Sequence, residues 1–219
     1  MAIYNAGYLS PIRKKLGNAV GRKWRTLNVL AVYQPNVSNP NTEAQQLART
    51  RFRNASQFAM RAAGILGIGM EDYCRGNVMP PRSAFMHINY PLFSGDGEIT
   101  YADLQMSYGA LDAPVVDGAA GVATPLTVSY HLNTDFVESI TCDNHDMIYL
   151  CAYDTVLKRM FVTDSPVIRG DDEIRITFPS AAGGHRVHCY LFAIGKTAGK
   201  TLGKTSMTVY GGNPTVTAA

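Results

Sequence analysis

Three copies of the tripeptide Gly-Lys-Thr lie between Gly195 and Thr205, and these residue types bind nucleotide phosphates in Walker loops. A Walker loop also needs a glycine five positions before the Gly-Lys-Thr. Ile194 and Ala198 occupy those positions for the second and third copies, and no strand-to-helix context follows. We therefore interpret the segment as a mobile, cationic hairpin loop between the last two strands, whose lysines are candidates for contact with an anionic surface.

Cysteine and histidine recur at spacings that zinc can use. Cys142 lies three residues before His145, and His185 lies three residues before His188, which Cys189 follows. Residues three apart on a strand face opposite sides, so His185 and His188 reach one metal ion only if a turn before His185 redirects its side chain. The alternative is that the cysteines fill the core and the histidines lie in turns. We predict no metal site and no cofactor.

General acid or base chemistry has several candidate carboxylates, but most fall where turns are expected, and aspartate is favoured in turns without any catalytic role. These aspartates are Asp143, Asp146, Asp154, Asp164, Asp171 and Asp172. No serine lies in a nucleophile elbow, and no Cys-His pair is distinctive. We predict that the chain has no catalytic residue and is not an enzyme.

The strongest functional signal is the positive charge of the N-terminal part. The first 53 residues hold nine Lys and Arg against the single acid Glu43, although the whole chain has a net charge of only +3. Cations next to a tryptophan can bind phosphate and stack on bases, so this cluster is a candidate for nucleic acid or an acidic partner. Its residues are Arg13, Lys14, Lys15, Arg22, Lys23, Trp24 and Arg25. Two alternatives remain open: contact with a protein partner, and a charged edge that prevents aggregation.

The elements that position these residues form three predicted segments. Residues 1–37 alternate glycines with short β-favouring runs, which predicts a basic arm or β-hairpin. Strand side chains alternate between faces, so Leu27 and Val29 lie on one face and Leu30 on the other. A strand that is apolar on both faces needs to be covered, and we predict these three residues at a packing or oligomer interface.

Residues 38–96 predict helices. Thr42 and Gln45 have the spacing of a capping box, so a helix of roughly 22 residues should start at Thr42. Its apolar positions form a narrow, alanine-rich seam that suits close packing against a neighbour, and Phe52, Ala55 and Ala59 are the predicted interface residues. A second, short helix should begin at Pro81.

Residues 97–219 consist of short alternating or apolar runs separated by turn residues. Seven strands are predicted, at 99–106, 126–132, 147–153, 157–162, 173–178, 186–194 and 205–210. This number of strands is typical of an immunoglobulin-like or fibronectin-like β-sandwich, although the disulfide and tryptophan of immunoglobulin domains are missing. The predicted fold class is α+β, with a basic arm and amphipathic helices before the sandwich.

Composition predicts a folded chain, since 46% of its 219 residues are apolar and 17% are charged. No run approaches the 18 or more apolar residues of a membrane span, and the first 15 residues lack the apolar core of a signal peptide. We therefore expect synthesis in the cytoplasm without ordinary secretion, with reduced cysteines.

Two motifs give the chain a resemblance to a known family. They are Gly17-Asn18-Ala19-Val20-Gly21 and Asn39-Pro40-Asn41-Thr42-Glu43-Ala44-Gln45-Gln46, followed by a β-rich half that ends in Ser206-Met207-Thr208-Val209-Tyr210. With these features the chain resembles an uncharacterised domain family of about 200 residues, common in Bacteroidetes genomes and their phages. The resemblance implies a small modular protein with an immunoglobulin-like C-terminal part and assigns no catalytic residues.

These observations favour a structural protein of a phage particle, such as a head, neck or tail accessory subunit made in the host cytoplasm. Its expected partners are further copies of itself and other virion proteins, with docking through the basic arm. One alternative is a nucleic-acid-binding protein whose arm contacts phosphates. Another is a cell-surface adhesion module.

Overall fold

The computed structural model describes residues 2–4, 12–24, 27–36, 41–77, 79–117, 125–163, 165–198 and 200–218. The chain divides into two compact units, Met1–Thr42 and Glu43–Ala219. Together they have the predicted α+β class, with a β-rich C-terminal part.

The first unit is an antiparallel sheet that extends the predicted hairpin to four strands. These are β1 (Ala2–Tyr4), β2 (Lys14–Leu16), β3 (Ala19–Trp24) and β4 (Leu27–Val32), in the order β1-β4-β3-β2. Gly17 has a φ of 58° at the first position of the two-residue turn between β2 and β3. A glycine with positive φ at that position is typical of a type II′ hairpin turn.

The second unit begins with four helices: α1 (Glu43–Arg61), α2 (Ala63–Gly69), α3 (Glu71–Asn77) and α4 (Pro81–Asn89). Helix α1 starts directly after Thr42, as the capping pattern predicts. It is 19 residues long, because the end of the predicted seam belongs to α2. The predicted start of the short helix at Pro81 is confirmed, since proline suits the first helical position, where no backbone N–H is needed. No helix in the described part is long and apolar enough to span a membrane.

Seven strands follow in two antiparallel sheets. They are β5 (Thr127–His131), β6 (Met147–Asp154), β7 (Arg159–Val162), β8 (Val167–Ile168), β9 (Glu173–Thr177), β10 (Val187–Ile194) and β11 (Val209–Gly212). The larger sheet has the order β11-β10-β6-β7, and β8 also pairs with β6. The smaller sheet pairs β5 with β9.

Five of the seven predicted strands lie where the sequence places them, with ends that differ by at most two residues. The predicted strand at 205–210 overlaps β11 only in part. The predicted strand at 99–106 is wrong: this segment contains a short 3-10 turn, Tyr101–Asp103, and a single bridge from Ile99 to Phe93. Its apolar alternation arises because Leu104 and Met106 insert into the core from an irregular chain.

Helices and strands of the second unit share two cores. On one face of the larger sheet, Tyr190, Phe192 and Ile194 of β10 pack with residues of α1, α2 and α4. On the other face, Cys189 and Leu191 pack with residues of β5 and β9. We call the first of these the helix-side core, and it joins the predicted helical segment at 38–96 to the predicted β segment at 97–219. The helices, the larger sheet and the smaller sheet form three layers with one core between each pair. Since both faces of the larger sheet are covered, β10 is apolar almost throughout.

Candidate functional site

The four strands of the first unit carry most of the predicted binding cations, and we call this element the basic sheet (β1–β4). Arg13, Lys14, Lys15, Arg22 and Lys23 are all exposed. Arg25 and the side chain of Trp24 lie outside the described residues. The unit has no Asp or Glu in residues 1–42, so its positive charge is not neutralised from within.

The strand register divides these cations between the two faces. Arg22 lies opposite Val29, and Lys15 lies on the same face of the sheet as Arg22. The Nζ atom of Lys15 is 3.9 Å from the ring centroid of Tyr33. Lys23, opposite Asn28, points to the other face. The sheet is therefore a cationic element on both sides rather than a single charged strip.

The same sheet exposes apolar side chains. Val29 is buried, and it is the one buried hydrophobic residue in the described part of this unit. Leu16, Ala19 and Val32 lie side by side on adjacent strands, and Leu16 and Val32 are 61% and 76% exposed. Of the other predicted interface residues of β4, Leu27 is exposed and Leu30 is half-buried. We call Leu16, Ala19 and Val32 the apolar row.

The chain at Ile12 lies in close contact with β3 at Gly21. The amide of Ile12 donates to the hydroxyl oxygen of Tyr4 at 2.7 Å. A Cβ on residue 21 would overlap the carbonyl oxygen of Ile12, so only Gly21 lets the segment pass this closely.

The predicted interface residues of α1 fall into two groups. Ala55 and Ala59 are fully buried in the helix-side core, where small side chains let α1 approach its neighbours, so they are not available to a second chain. Phe52 is 59% exposed and remains accessible.

The Cys and His side chains that could bind zinc have other partners. His145 Nδ1 lies 3.2 Å from Asp143, His185 Nδ1 lies 2.8 Å from buried Asp154, and Cys142 is buried. Within the described ranges, no group of three or more His, Cys, Asp or Glu is placed to hold a metal ion. Burial raises the pKa of the Cys189 thiol to about 12, which is the state of an inert core thiol.

The Gly-Lys-Thr segment packs against acids of the protein itself. The Thr201 hydroxyl donates to Asp146 at 2.7 Å, and both side chains are buried. Lys200 Nζ lies 3.5 Å from Asp143, whose pKa is lowered to about 2, chiefly by the backbone amide of His145 and then by hydrogen bonds such as that from Lys200. A Cβ at Gly195 would overlap the carbonyl oxygen of Thr201. Glycine, lysine and threonine thus have structural roles in this loop.

An aromatic cluster that sequence reasoning missed lies on the helix side of the larger sheet. The ring of Tyr101 stacks on His188 at 4.1 Å and on Tyr153 at 5.9 Å. Tyr190 donates its hydroxyl proton to the Tyr101 carbonyl oxygen at 2.9 Å. Burial raises the pKa of Tyr101, and the nearby Tyr153 and Glu98 raise it further, so its phenol stays neutral. The repeated tyrosines of β6 and β10 were the only available signal, because Tyr101 reaches them from a distant loop.

Comparisons with curated proteins and with solved structures gave no match. A comparison with family patterns did, and it covers residues from just before β2 to just before β11. The resemblance to an uncharacterised domain family is thereby confirmed. The matching pattern spans residues 11–207, and the chain belongs to the family of unknown function DUF6266.

Proposed function

We propose that this protein is a non-enzymatic structural or assembly subunit of a phage particle, which docks into a homo-oligomer through its basic sheet. The observation that carries the proposal is the apolar row of Leu16, Ala19 and Val32. The row is open to solvent, and Val29 is the one buried hydrophobic residue in the described part of the sheet. Small sheets need a covered hydrophobic face for stability, and exposed apolar patches mark protein contacts.

The charge distribution indicates what covers the sheet. Residues 1–42 contain six Lys and Arg and no acid, whereas the rest of the chain contains 14 Lys and Arg against 17 Asp and Glu. A second copy of the chain therefore offers a surface of opposite net charge to the basic sheet. Docking of one copy's sheet on the next copy is a head-to-tail contact, and such contacts generate rings when the rotation between successive copies closes.

We also propose that the β-rich part is an immunoglobulin-like sandwich. The order β11-β10-β6-β7 corresponds to the G-F-C-C′ sheet of variable immunoglobulin domains, and the pair β5-β9 corresponds to strands B and E of the opposite sheet. Two isolated bridges lie outside these strands. Val116 pairs with Leu132, the residue after β5, and Leu111 pairs with Ser206, which precedes β11. Such a sandwich is a scaffold in this proposal, because a fold alone assigns no activity.

The molar mass of the purified protein in solution tests the proposal. Light scattering at low and high salt should show a closed oligomer for the full chain. Removal of residues 1–42, or the double substitution Leu16→Ser with Val32→Ser, should leave monomers. The matched control is Val137→Ser with Ile140→Ser, since these residues of the second unit are 86% and 75% exposed and lie outside the apolar row.

A full-length protein that stays monomeric at high concentration would contradict the docking role, and so would an equal loss of mass in the control. The particle assignment has its own test. The protein should be found by mass spectrometry in purified particles from its source, and its absence there would overturn the virion assignment.

Nucleic-acid binding is the second candidate, and the exposed cations of the basic sheet favour it. It predicts retention on DNA that weakens with salt, and that weakens further when Arg13, Lys14, Lys15, Arg22 and Lys23 are each replaced by glutamine. A chain that gains mass only when DNA is added would favour this candidate over self-assembly.

A further inference from the structure

We propose that a pocket beside the C-terminal end of α1 binds a small organic anion that carries one planar ring. The pocket has a volume of about 310 Å³ and lies between α1, the loop that contains Tyr101, and the turn that joins β6 to β7. Ligand pockets typically measure about 300–1,000 Å³, so this one suits a ligand of roughly one ring with a charged substituent. The proposal is independent of the docking role of the basic sheet.

Two cations of the pocket give it positive charge. Arg61 ends α1, and its Nη1 donates to the hydroxyl oxygen of Tyr153 at 3.3 Å. Lys158 lies in the turn on another wall. Among the described residues, neither side chain forms an ion pair with a carboxylate. Two cations that converge on one cavity can donate charge-assisted hydrogen bonds to a phosphate or carboxylate.

Three carboxylates, those of Asp96, Glu98 and Asp154, each adjoin a wall residue along the chain, but none of them lines the pocket. Asp154 is buried, and its Oδ1 accepts hydrogen bonds from the amides of Val156 and Leu157 while its Oδ2 lies 2.8 Å from His185. Glu98 is exposed and is not part of the pocket wall, although its charge contributes to the raised pKa of Tyr101. The wall of the pocket therefore includes two cations, Arg61 and Lys158, and no carboxylate.

The wall of the pocket also contains packed aromatic rings. Tyr153 lies 4.6 Å from the ring of Phe58 and stacks on Tyr101 at an interplanar angle of 24°. The ring of Tyr101 is stacked on both His188 and Tyr153, and Phe58 is buried, so these residues offer the pocket ring edges rather than ring faces. A planar ligand can contact such edges in the edge-to-face arrangement that aromatic pairs favour, and the rings lose no side-chain freedom. The amides of Asn54 and Gln57, which lie on the same face of α1 as Arg61, supply further donors for the ligand's oxygen atoms.

Isothermal titration of the full chain with phenyl phosphate tests this site, with inorganic phosphate and phenol as the two partial ligands. We expect saturable binding of phenyl phosphate that is tighter than that of either partial ligand. Arg61→Gln and Lys158→Asn should each weaken it by about tenfold or more, as expected for a lost charge-assisted hydrogen bond. Asparagine suits position 158 because φ there is 52°, a left-handed conformation that asparagine tolerates.

Two control variants exclude binding to other cations: Arg53→Gln on the exposed face of α1 and Arg175→Gln at an exposed position of β9. Both should bind phenyl phosphate as the unmodified chain does. Failure of phenyl phosphate to saturate, equal weakening by a control, or inorganic phosphate binding as tightly as phenyl phosphate would overturn the proposal. Thermal unfolding of each variant shows whether it is folded, and if Arg61→Gln is not, Lys158→Asn decides.

Discussion

The Nδ1 atom of His188 lies 2.7 Å from the hydroxyl oxygen of Tyr210. The two residues belong to neighbouring strands, β10 and β11, and the imidazole is also stacked on Tyr101. Burial lowers the pKa of His188 below its ordinary value of 6.5, and burial also raises the pKa of Tyr210. Both groups are therefore neutral near pH 7, and one hydrogen bond joins them.

This pair predicts a loss of stability in mild acid. Because the pKa of His188 is lower in the folded chain than in the unfolded chain, the unfolded state binds more protons between the two values. The contribution of neutral His188 is fully present above about pH 6.5 and declines as the pH falls below it. Urea unfolding of the chain and of His188→Phe should be compared from pH 8 to pH 5.

The phenylalanine variant keeps the ring contact with Tyr101 but cannot titrate. It should be less stable at pH 8, where it lacks the hydrogen bond to Tyr210, and the difference from the unmodified chain should shrink towards pH 5. The comparison removes the contributions of the other four histidines, which both chains share. Parallel stability curves for the two proteins would show that His188 does not titrate differently on folding.

Helix α2 offers a paired test of helix packing, because two of its glycines differ in their surroundings. A Cβ at Gly69 would lie 2.5 Å from the carbonyl oxygen of Met106, whereas a Cβ at Gly67 would meet nothing within 4 Å. Gly67→Ala should stabilise the chain by up to about 1 kcal/mol through helix propensity. Gly69→Ala should destabilise it, since the loop that holds Met106 must move. Thermal unfolding measures both, and equal shifts would contradict the packing of this loop against α2.

The sequence predicts elements well where local chemistry decides them. Pro81 marks the start of α4 because a first helical position needs no N–H, and Thr42 precedes α1 at a capping position. The two central strands of the larger sheet, β6 and β10, are predictable because both faces are covered and most of their residues are apolar. The segment from 99 to 106 shows the limit, since Leu104 and Met106 fill the helix-side core without pairing as a strand.

The candidate sites required contacts between distant residues, so sequence patterns alone could not predict them. Arg61 and Lys158 converge on one pocket only because α1 packs beside the turn after β6. The exposed cations of the basic sheet were predictable, since the unit has no acids, but their division between two faces follows from the register of β3 and β4. Ala55 and Ala59 are buried because their face of α1 packs into the core between the helices and the larger sheet.

Gly21 predicts that the basic sheet can be disrupted on its own. The side chain of alanine at this position would overlap the carbonyl oxygen of Ile12, so Gly21→Ala should displace the chain at Ile12 from β3. The two compact units divide at Thr42, so the second unit should keep its fold. Amide exchange measured by mass spectrometry should show lost protection in β1–β4 and unchanged protection in β6 and β10. Lost protection in both units would contradict their independence, and Gly67→Ala is the control for the added methyl group.

Thr201 decides whether the second Gly-Lys-Thr copy is structural. Its hydroxyl donates to Oδ1 of Asp146, and Oδ2 of the same carboxylate accepts from the amide of Asp143. Thr201→Val keeps the shape but removes one donor from a buried carboxylate, so unfolding free energy should fall by about 1–3 kcal/mol. The control Thr177→Val, at an exposed position of β9, should change it by less than about 0.5 kcal/mol.

The same two variants separate a structural threonine from one that binds phosphate. If Thr201 held a nucleotide phosphate, ATP with magnesium would raise the melting temperature of the unmodified chain, and Thr201→Val would abolish that rise. We expect no rise with ATP, because Asp146 accepts the hydroxyl and Lys200 lies near Asp143, so neither group is directed towards a ligand. Unchanged stability of Thr201→Val together with protection by ATP would reverse this interpretation of the loop.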